Sequence, residues 1–203
     1  MRRRLCFRIL TALWLACLAP LLHGTDGPRP GRVALEQVDP AASRIGFEVW
    51  TRYGQRLDGE IAAFQGQLEH REDGRKRFVV RLQMDSAHIP GHRRYTRWMR
   101  GQEFFDVARH RLAEFESEPF AGTASGTGEV PSQLDGWLTL RGVRHPVQLH
   151  IAPAGCARAG YDCPVTARGE VSRAAYGMDR WQFAVSDRVT FVLHVRLTGA
   201  GAR

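Results

Sequence analysis

The chain has 203 residues, of which 43% are hydrophobic, and it carries a formal net charge of +8 at pH 7. Residues 1–24 contain four arginines and no acidic residue, so removing them lowers the net charge from +8 to +4. A charge this small does not indicate a nucleic-acid-binding protein. The length remaining fits one domain with a substantial core.

The first 24 residues have the pattern of a secretory signal peptide. Arginines at positions 2, 3 and 4 precede an apolar run over residues 9–22, and Gly24 supplies a small residue near the predicted cleavage site. The run is shorter than the roughly 20 apolar residues that span a membrane. A lipoprotein modified at Cys17 and an uncleaved anchor are the alternatives. We predict a flexible lead-in over residues 25–37 and one domain over residues 38–200.

Apolar and polar residues alternate along five segments, which is the pattern of strands with one buried face. The five segments are residues 44–49, 78–85, 134–141, 147–151 and 189–197. Asp73-Gly74 is a strong hairpin signal, and the glycine-rich residues 122–128 suit a hairpin connection. About eight strands, each with one apolar face, must pack as two sheets or close as a barrel.

One segment, residues 92–100, follows a helical period instead. Tyr95, Trp98 and Met99 fall at positions i, i+3 and i+4, and arginines occupy most of the other positions. Pro90-Gly91 precedes the segment and Gly101 follows it, which predicts a short amphipathic helix. Either Trp98 completes the core, or the helix is a lid whose cationic outer face contacts lipid headgroups.

Two cysteines lie outside the predicted signal peptide. Cys156 and Cys163 bracket a short loop that contains Gly160. In an exported protein this pair predicts a disulfide that closes a hairpin loop.

Five further stretches, taken in order, resemble the YceI-like family of periplasmic polyisoprenoid-binding proteins. They are DPAASRIGFEV at 39–49, FQG at 64–66, EFFDV at 103–107 with AEFES at 113–117, GWLTLRGV at 136–143 followed by Pro146-Val147, and GEVSRAAYGM at 169–178. The resemblance extends from about residue 38 to residue 197. The sequence departs from the family pattern at Arg111, where a proline is usual, and in having the Cys156–Cys163 hairpin.

The resemblance implies an all-β fold, a lipocalin-like antiparallel eight-stranded barrel with a short α-helix near one end. It also implies a periplasmic protein that binds a long isoprenoid-type lipid, either a polyprenyl phosphate or an isoprenoid quinone, inside the barrel. The predicted ligand-binding residues are Phe47, Val49, Phe64, Leu82, Met84, Trp98, Phe104, Phe105, Phe115, Leu138, Leu140, Arg173, Tyr176 and Met178. The apolar residues of this set could equally pack against one another and leave no cavity.

Arg173 is the polar residue of this set that could act in two ways. Its guanidinium could hold a phosphate or a quinone carbonyl near the barrel mouth. It could also pair with an acid such as Asp187 and stabilise the sheet.

Catalytic patterns are weak in this sequence. It has no Gly-x-Ser-x-Gly or His-Glu-x-x-His motif, and residues 122–128 lack the lysine of a phosphate-binding loop. His88 and His92 are separated by Pro90-Gly91, which keeps them off a shared helix face, so no metal site is expected. Glu114 and Glu116 are expected on the solvated face of a strand.

We therefore expect a non-catalytic binding protein with no cofactor other than a bound isoprenoid lipid or quinone. Peripheral contact with a membrane or a membrane cytochrome is a further expectation, because residues 92–100 are rich in arginine. Two alternatives stay open: a periplasmic enzyme that acts on an amphiphile, and a filled-barrel accessory protein of a membrane redox system.

Overall fold

The computed structural model of the protein describes residues 34–121 and 130–198. The predicted signal peptide, residues 25–33 of the lead-in and the glycine-rich connection at residues 122–128 lie outside the described residues. Within the described residues no helix has the length and apolar character needed to cross a membrane.

The described residues form one sheet of twelve antiparallel strands and a single α-helix, α1, at Arg93–Met99. Two 3-10 turns, Met84–Ser86 and Ala174–Tyr176, follow strands β5 and β11. The strands are β1 Ala34–Gln37, β2 Arg44–Thr51, β3 Arg56–Ile61, β4 Phe64–His70, β5 Arg75–Gln83, β6 Ala87–His88, β7 Leu112–Ser117, β8 Phe120–Ala121, β9 Gln133–Leu140, β10 Val143–Ile151, β11 Val165–Ser172 and β12 Val185–Val195.

The sheet curls into a half-barrel. Its strand order is β1-β4-β5-β7-β9-β10-β11-β12-β2-β3-β6, with β8 added to β5. At one end of the barrel Val38 forms a bridge to Leu197, beyond β12, and its N–H donates to the carbonyl of Gly66 in β4 at 2.8 Å. The predicted all-β antiparallel barrel architecture is confirmed. The sheet has more strands than the expected eight. Three of the additional strands, β1, β6 and β8, have only four, two and two residues, which is too few for an alternating pattern to reveal them in the sequence.

The inner face of the sheet forms the hydrophobic core. The five predicted alternating segments lie largely within β2, β5, β9, β10 and β12, and their apolar positions are mostly buried. Two glycines make room for large rings on this face. A Cβ atom at Gly59 would lie 2.0 Å from Cζ of Phe47, its cross-strand partner, and one at Gly136 would lie 2.7 Å from Cζ of Phe115. The aromatic rings therefore lie across neighbouring strands.

The outer face carries cross-strand ion pairs. Glu114 pairs with Arg81, and Glu116 pairs with both Arg77 and Arg144. The two glutamates thus lie on the outer wall, as predicted, but arginine side chains partly cover them. Partly exposed pairs of this kind contribute little to stability individually.

The end of the predicted lead-in is part of the sheet, which corrects the expected domain start. Ala34–Gln37 forms β1 and pairs with β4 from Ala34↔His70 to Gln37↔Gln67. Most of its side chains are exposed, so the sequence has no apolar alternation there to reveal a strand. This strand is held by backbone hydrogen bonds to the edge of β4 and not by burial of an apolar face.

The loop between β10 and β11 is closed by the Cys156–Cys163 disulfide, which confirms the predicted pairing. The Gly160 N–H donates to the Cys163 carbonyl at 2.8 Å, and the Leu197 N–H donates to the Gly160 carbonyl at 2.7 Å. The loop is thereby attached to the residues that follow β12, at the barrel end where Val38 meets Leu197.

Replacing both Cys156 and Cys163 with serine should lower the free energy of unfolding by about 2 kcal/mol, because the short loop is no longer closed in the unfolded chain. Urea unfolding measures the change. Reductant should destabilise the wild type to the level of the variant and should leave the variant unaffected. Equal stability of the oxidised wild type and the variant would contradict this expectation.

Candidate functional site

A cavity of about 160 Å³ lies between α1, the segment that follows it and the inner faces of β2, β3, β11 and β12. Nearly all of its lining is apolar. The lining residues are Phe47, Val49, Thr51, Tyr53, Leu57, Ile89, Tyr95, Trp98, Met99, Phe104, Phe105, Leu140, Val171, Arg173, Met178, Ala184, Val185, Val189 and Phe191. We define its mouth by the lining residues that are not buried, namely Thr51, Tyr53, Tyr95, Trp98 and Ala184.

Helix α1 covers the cavity with its apolar face. Tyr95, Trp98 and Met99 all contribute to the lining, as their i, i+3 and i+4 spacing predicts. Two side chains fasten the helix to the preceding segment. The Thr96 hydroxyl accepts a hydrogen bond from the Ile89 N–H at 2.9 Å, and Arg100 Nε donates to the Ala87 carbonyl at 2.7 Å. The predicted helix is confirmed, and its position is that of a lid.

The structure brings eight of the predicted ligand-binding residues together around this cavity. They are Phe47, Val49, Trp98, Phe104, Phe105, Leu140, Arg173 and Met178. The other six are buried but do not line it: Phe64, Leu82, Met84, Phe115, Leu138 and Tyr176.

The six residues outside the cavity belong to the hydrophobic core. Phe64 lies opposite Leu82 across β4 and β5, and Phe115 lies opposite Leu138 across β7 and β9. All four are at most 8% exposed. The cavity is therefore lined mainly from β2, β3, β11 and β12, with Leu140 at the end of β9, and none of its lining residues belongs to β4, β5 or β7.

Sequence reasoning missed several lining residues. Val189 and Phe191 occur in the alternating pattern of β12 and could have been selected by the criterion that selected Phe47. Tyr53 and Ala184 lie in connections between strands, where no periodic pattern identifies an inward position.

Arg173 has a structural role at the cavity wall. Its guanidinium is buried and donates to the carbonyls of Ser186 at 2.8 Å, Met178 at 2.7 Å, Arg180 at 3.2 Å and Val185 at 3.2 Å. These bonds use four of the five guanidinium N–H groups. Burial lowers the pKa of Arg173, and the nearby charges of Asp187 and Asp179 counteract this effect.

The partner predicted for Arg173 requires a correction. The carboxylate of Asp187 accepts a hydrogen bond from the Ala174 N–H at 2.8 Å, while the guanidinium donates to main-chain carbonyls. Asp187 therefore holds the turn after β11, and Arg173 holds the segment between that turn and β12. Sequence spacing could not distinguish these arrangements, because both bring the two residues close together.

A row of aromatic rings leads from the cavity wall to solvent. Phe104 packs edge-on against Trp98 at 5.0 Å between centroids, Trp98 against Trp181 at 4.8 Å, and Trp181 lies 5.3 Å from Phe183. Phe104 is 8% exposed and Phe183 is 73% exposed. The cavity mouth is thus bordered by aromatic surface that continues outward.

Tyr176 is buried beside the Arg173 turn, and its hydroxyl has no hydrogen-bond partner among the described residues. Burial raises the pKa of Tyr176 to about 12. The side chain packs edge-on against His145, 5.2 Å between centroids, and does not contribute to the cavity lining. No cluster of three His, Cys, Asp or Glu side chains suited to a metal ion occurs in the part of the chain that the structure describes.

Comparison with known proteins identifies the family. The model of the YceI-like domain matches residues 37–197. The chain belongs to the YceI-like family. The resemblance seen in the sequence is thereby confirmed, over nearly the same range.

Solved structures of similar fold support the YceI-like assignment. Burkholderia cenocepacia BcnA has a TM-score of 0.58 and 20% identity, with 79% of this chain and 99% of that chain covered. A polyisoprenoid-binding domain from Saccharophagus degradans, implicated in plant cell wall breakdown, has a TM-score of 0.56 and 16% identity, with 82% and 99% covered. At these identities the likeness shows the fold. The sequence has no match among curated proteins.

Substituting lysine for Arg173 should lower the free energy of unfolding by about 3 kcal/mol, because lysine cannot satisfy the same set of buried carbonyls. Urea unfolding measures the loss. Arg188→Lys, at an exposed arginine of β12, is the matched control and should change stability little. A stable Arg173→Lys variant would instead favour a headgroup-binding role for this residue.

Tyr176→Phe should leave stability at neutral pH unchanged or raise it by about 1 kcal/mol, because it removes an unpartnered buried hydroxyl. A tyrosine pKa near 10 in the unfolded chain and about 12 in the fold makes wild-type stability fall between pH 10 and pH 12. The variant should lose less stability over that range.

Tyr161→Phe is the matched comparison for this test. Burial and the hydrogen bond to Glu36 raise the pKa of Tyr161 to about 12 as well. Since its hydroxyl has a partner, Tyr161→Phe should destabilise the fold at neutral pH. Destabilisation of Tyr176→Phe by the same amount would show that the Tyr176 hydroxyl is also bonded.

Proposed function

We propose that the protein is a periplasmic, non-catalytic binding protein that holds the hydrocarbon chain of an isoprenoid-type lipid in the cavity behind α1. The observation that carries the proposal is an apolar cavity behind α1, on the inner face of the sheet. Nineteen residues line it, and its only charged side chain, Arg173, donates most of its N–H groups to main-chain carbonyls. Empty apolar space of this kind costs stability, and an apolar ligand recovers the lost contacts.

The family and its neighbours support this ligand class. The chain belongs to the YceI-like family, and the Saccharophagus degradans neighbour is described as a polyisoprenoid-binding domain. A branched prenyl chain needs apolar contact and no directional partner, which is what the phenylalanine, valine and methionine lining offers. Each buried methylene-sized group contributes about 0.8 kcal/mol before the costs of association.

The cavity size indicates how such a lipid is held. An apolar cavity of about 150 Å³ in another protein binds a molecule the size of benzene. The present cavity, at about 160 Å³ without ligand, therefore has room for only a short stretch of a long lipid chain. The rest of the lipid must extend through the mouth or displace flexible lining residues such as Met99 and Met178.

The polar groups present favour binding over catalysis. Apart from Arg173, the side-chain polar groups of the lining are the hydroxyls of Thr51, Tyr53 and Tyr95 and the indole N–H of Trp98, all at the mouth. General acid–base or nucleophilic catalysis needs an activated group within reach of the substrate. The periplasmic location is supported by the signal-peptide pattern of residues 1–24 and by the Cys156–Cys163 disulfide, which suits an oxidising compartment.

Extraction of the purified protein with organic solvent, followed by mass spectrometry, tests the proposal directly. We expect a long prenyl-chain lipid in the extract of the wild type. Val189→Phe replaces a small side chain of the cavity lining with an aromatic ring and should reduce the amount of this lipid several-fold.

Val147→Phe is the matched control, because Val147 is an equally buried strand valine outside the cavity lining. Val147→Phe overpacks the core and should lose about 1–3 kcal/mol of stability. Only Val189→Phe, which fills cavity space, should lose lipid. An extract of folded wild type without any prenyl lipid, or equal lipid loss in both variants, would contradict the proposal.

A further inference from the structure

We propose that the cavity mouth docks on the surface of an anionic phospholipid bilayer through exposed aromatic side chains and the arginines of α1. This inference rests on the proposed function, since it states where the protein meets the membrane that contains its lipid. The docking surface is defined by Tyr53, Trp181 and Phe183 together with Arg93, Arg94 and Arg97.

The aromatic part of the docking surface is unusually exposed. Tyr53 is 90% exposed although it lines the cavity, Phe183 is 73% exposed, and Trp181 is 37% exposed. All three lie at or beside the mouth, because Trp181 packs on Trp98 and Phe183 directly precedes the lining residue Ala184. Large apolar side chains grouped around a binding cavity commonly mark an interaction surface.

The backbone holds these aromatic residues in a fixed arrangement. Trp181 has a φ of +63°, in the left-handed region that residues other than glycine rarely adopt. Its carbonyl accepts hydrogen bonds from Ala184 and Val185 at 2.9 and 2.8 Å, and Arg52 Nε donates to the Gln182 carbonyl at 2.9 Å. The strained turn is therefore maintained by its neighbours, which keep Trp181 and Phe183 at the surface.

The charges beside the mouth determine which partner fits. Residues 92–100 contain four arginines and no acid, and Arg93, Arg94 and Arg97 are exposed. Within the described residues none of these three forms an ion pair. Arg93 and Arg97 border a groove of about 430 Å³ on the outer side of α1 that His88, His92 and Arg100 also line. An acidic residue, Glu60, lies beside this groove, with its Oε2 atom 3.7 Å from Nε2 of His88.

Arginine and aromatic side chains together suit the membrane interface. Aromatic rings partition to the level of the headgroups, and long cationic side chains reach the phosphates while their stems contact apolar groups. A cationic face beside an aromatic one selects anionic lipid over zwitterionic lipid. Docking in this orientation opens the cavity toward the acyl chains, so that a hydrophobic ligand can enter without crossing water.

Vesicle flotation of the full chain tests the docking surface. Wild type should float with phosphatidylglycerol-containing vesicles at low salt and should bind pure phosphatidylcholine vesicles much more weakly. The double variant Arg93→Gln with Arg97→Gln should bind the anionic vesicles roughly 25-fold less, about five-fold for each arginine removed. Phe183→Ser should bind them roughly five-fold less.

Two matched variants control for charge and hydrophobicity. Arg44→Gln and Leu35→Ser change exposed residues at the opposite end of the barrel and should float like wild type. Equal flotation of the Arg93/Arg97 double variant and Arg44→Gln would overturn the docking surface, as would equal binding to anionic and zwitterionic vesicles.

Lipid extraction from the same preparations separates the two proposals. Wild type that contains a prenyl lipid while the docking variants float normally would refute only the docking surface. Wild type that contains no prenyl lipid would refute the proposed function, whatever the vesicles show.

Discussion

Burial of one face of a curled antiparallel sheet is the constraint on which this structure depends. Every inward position on such a sheet must contact an opposing side chain, the lid helix or a bound molecule, because empty apolar space forfeits dispersion contacts. Phe64, Leu82 and Phe115, on the inner faces of β4, β5 and β7, are buried in the hydrophobic core. Beneath β2, β3, β11 and β12 the side chains leave a cavity, and α1 covers it.

The architecture of the cavity follows from a few local arrangements. Gly59 lets the Phe47 ring lie across β3, and the ring in turn packs edge-on against Phe105 in the segment after α1. On the other side, Arg173 fastens the segment that leads to β12, and its guanidinium lies 5.5 Å from the centroid of the Phe104 ring. A buried guanidinium whose N–H groups all but one donate to main-chain carbonyls can hold an apolar wall in place without binding a lipid headgroup. The cavity therefore presents an apolar surface to a ligand although a charged residue forms part of its wall.

The sequence was sufficient to predict the five strands with clear alternation, the helix and the disulfide, because each depends on local pattern or spacing. Alternation identified the inward face of β2 and β12, and the spacing of Tyr95, Trp98 and Met99 identified the covering face of α1. Alternation reports which face a residue occupies but not whether an opposing side chain reaches it. For that reason Phe47 and Phe115 had the same sequence signal, although one lines the cavity and the other is packed in the core.

Other features depend on contacts between distant parts of the chain. The strand Ala34–Gln37 pairs with the edge of β4, and the turn at Trp181 depends on a hydrogen bond to the neighbouring Gln182 carbonyl from Arg52, 130 positions before Gln182 in the chain. A non-glycine residue with positive φ has no reliable sequence signal. The aromatic border of the mouth was therefore visible only in the folded chain.

A crystal structure of the protein grown with a brominated prenyl-chain lipid would test the central claim most directly. The account predicts anomalous bromine density behind α1, in contact with Phe47, Met178 and Phe191, with the lipid headgroup outside the mouth. Side chains closing the space between α1 and β12, with the bromine elsewhere or absent, would contradict it.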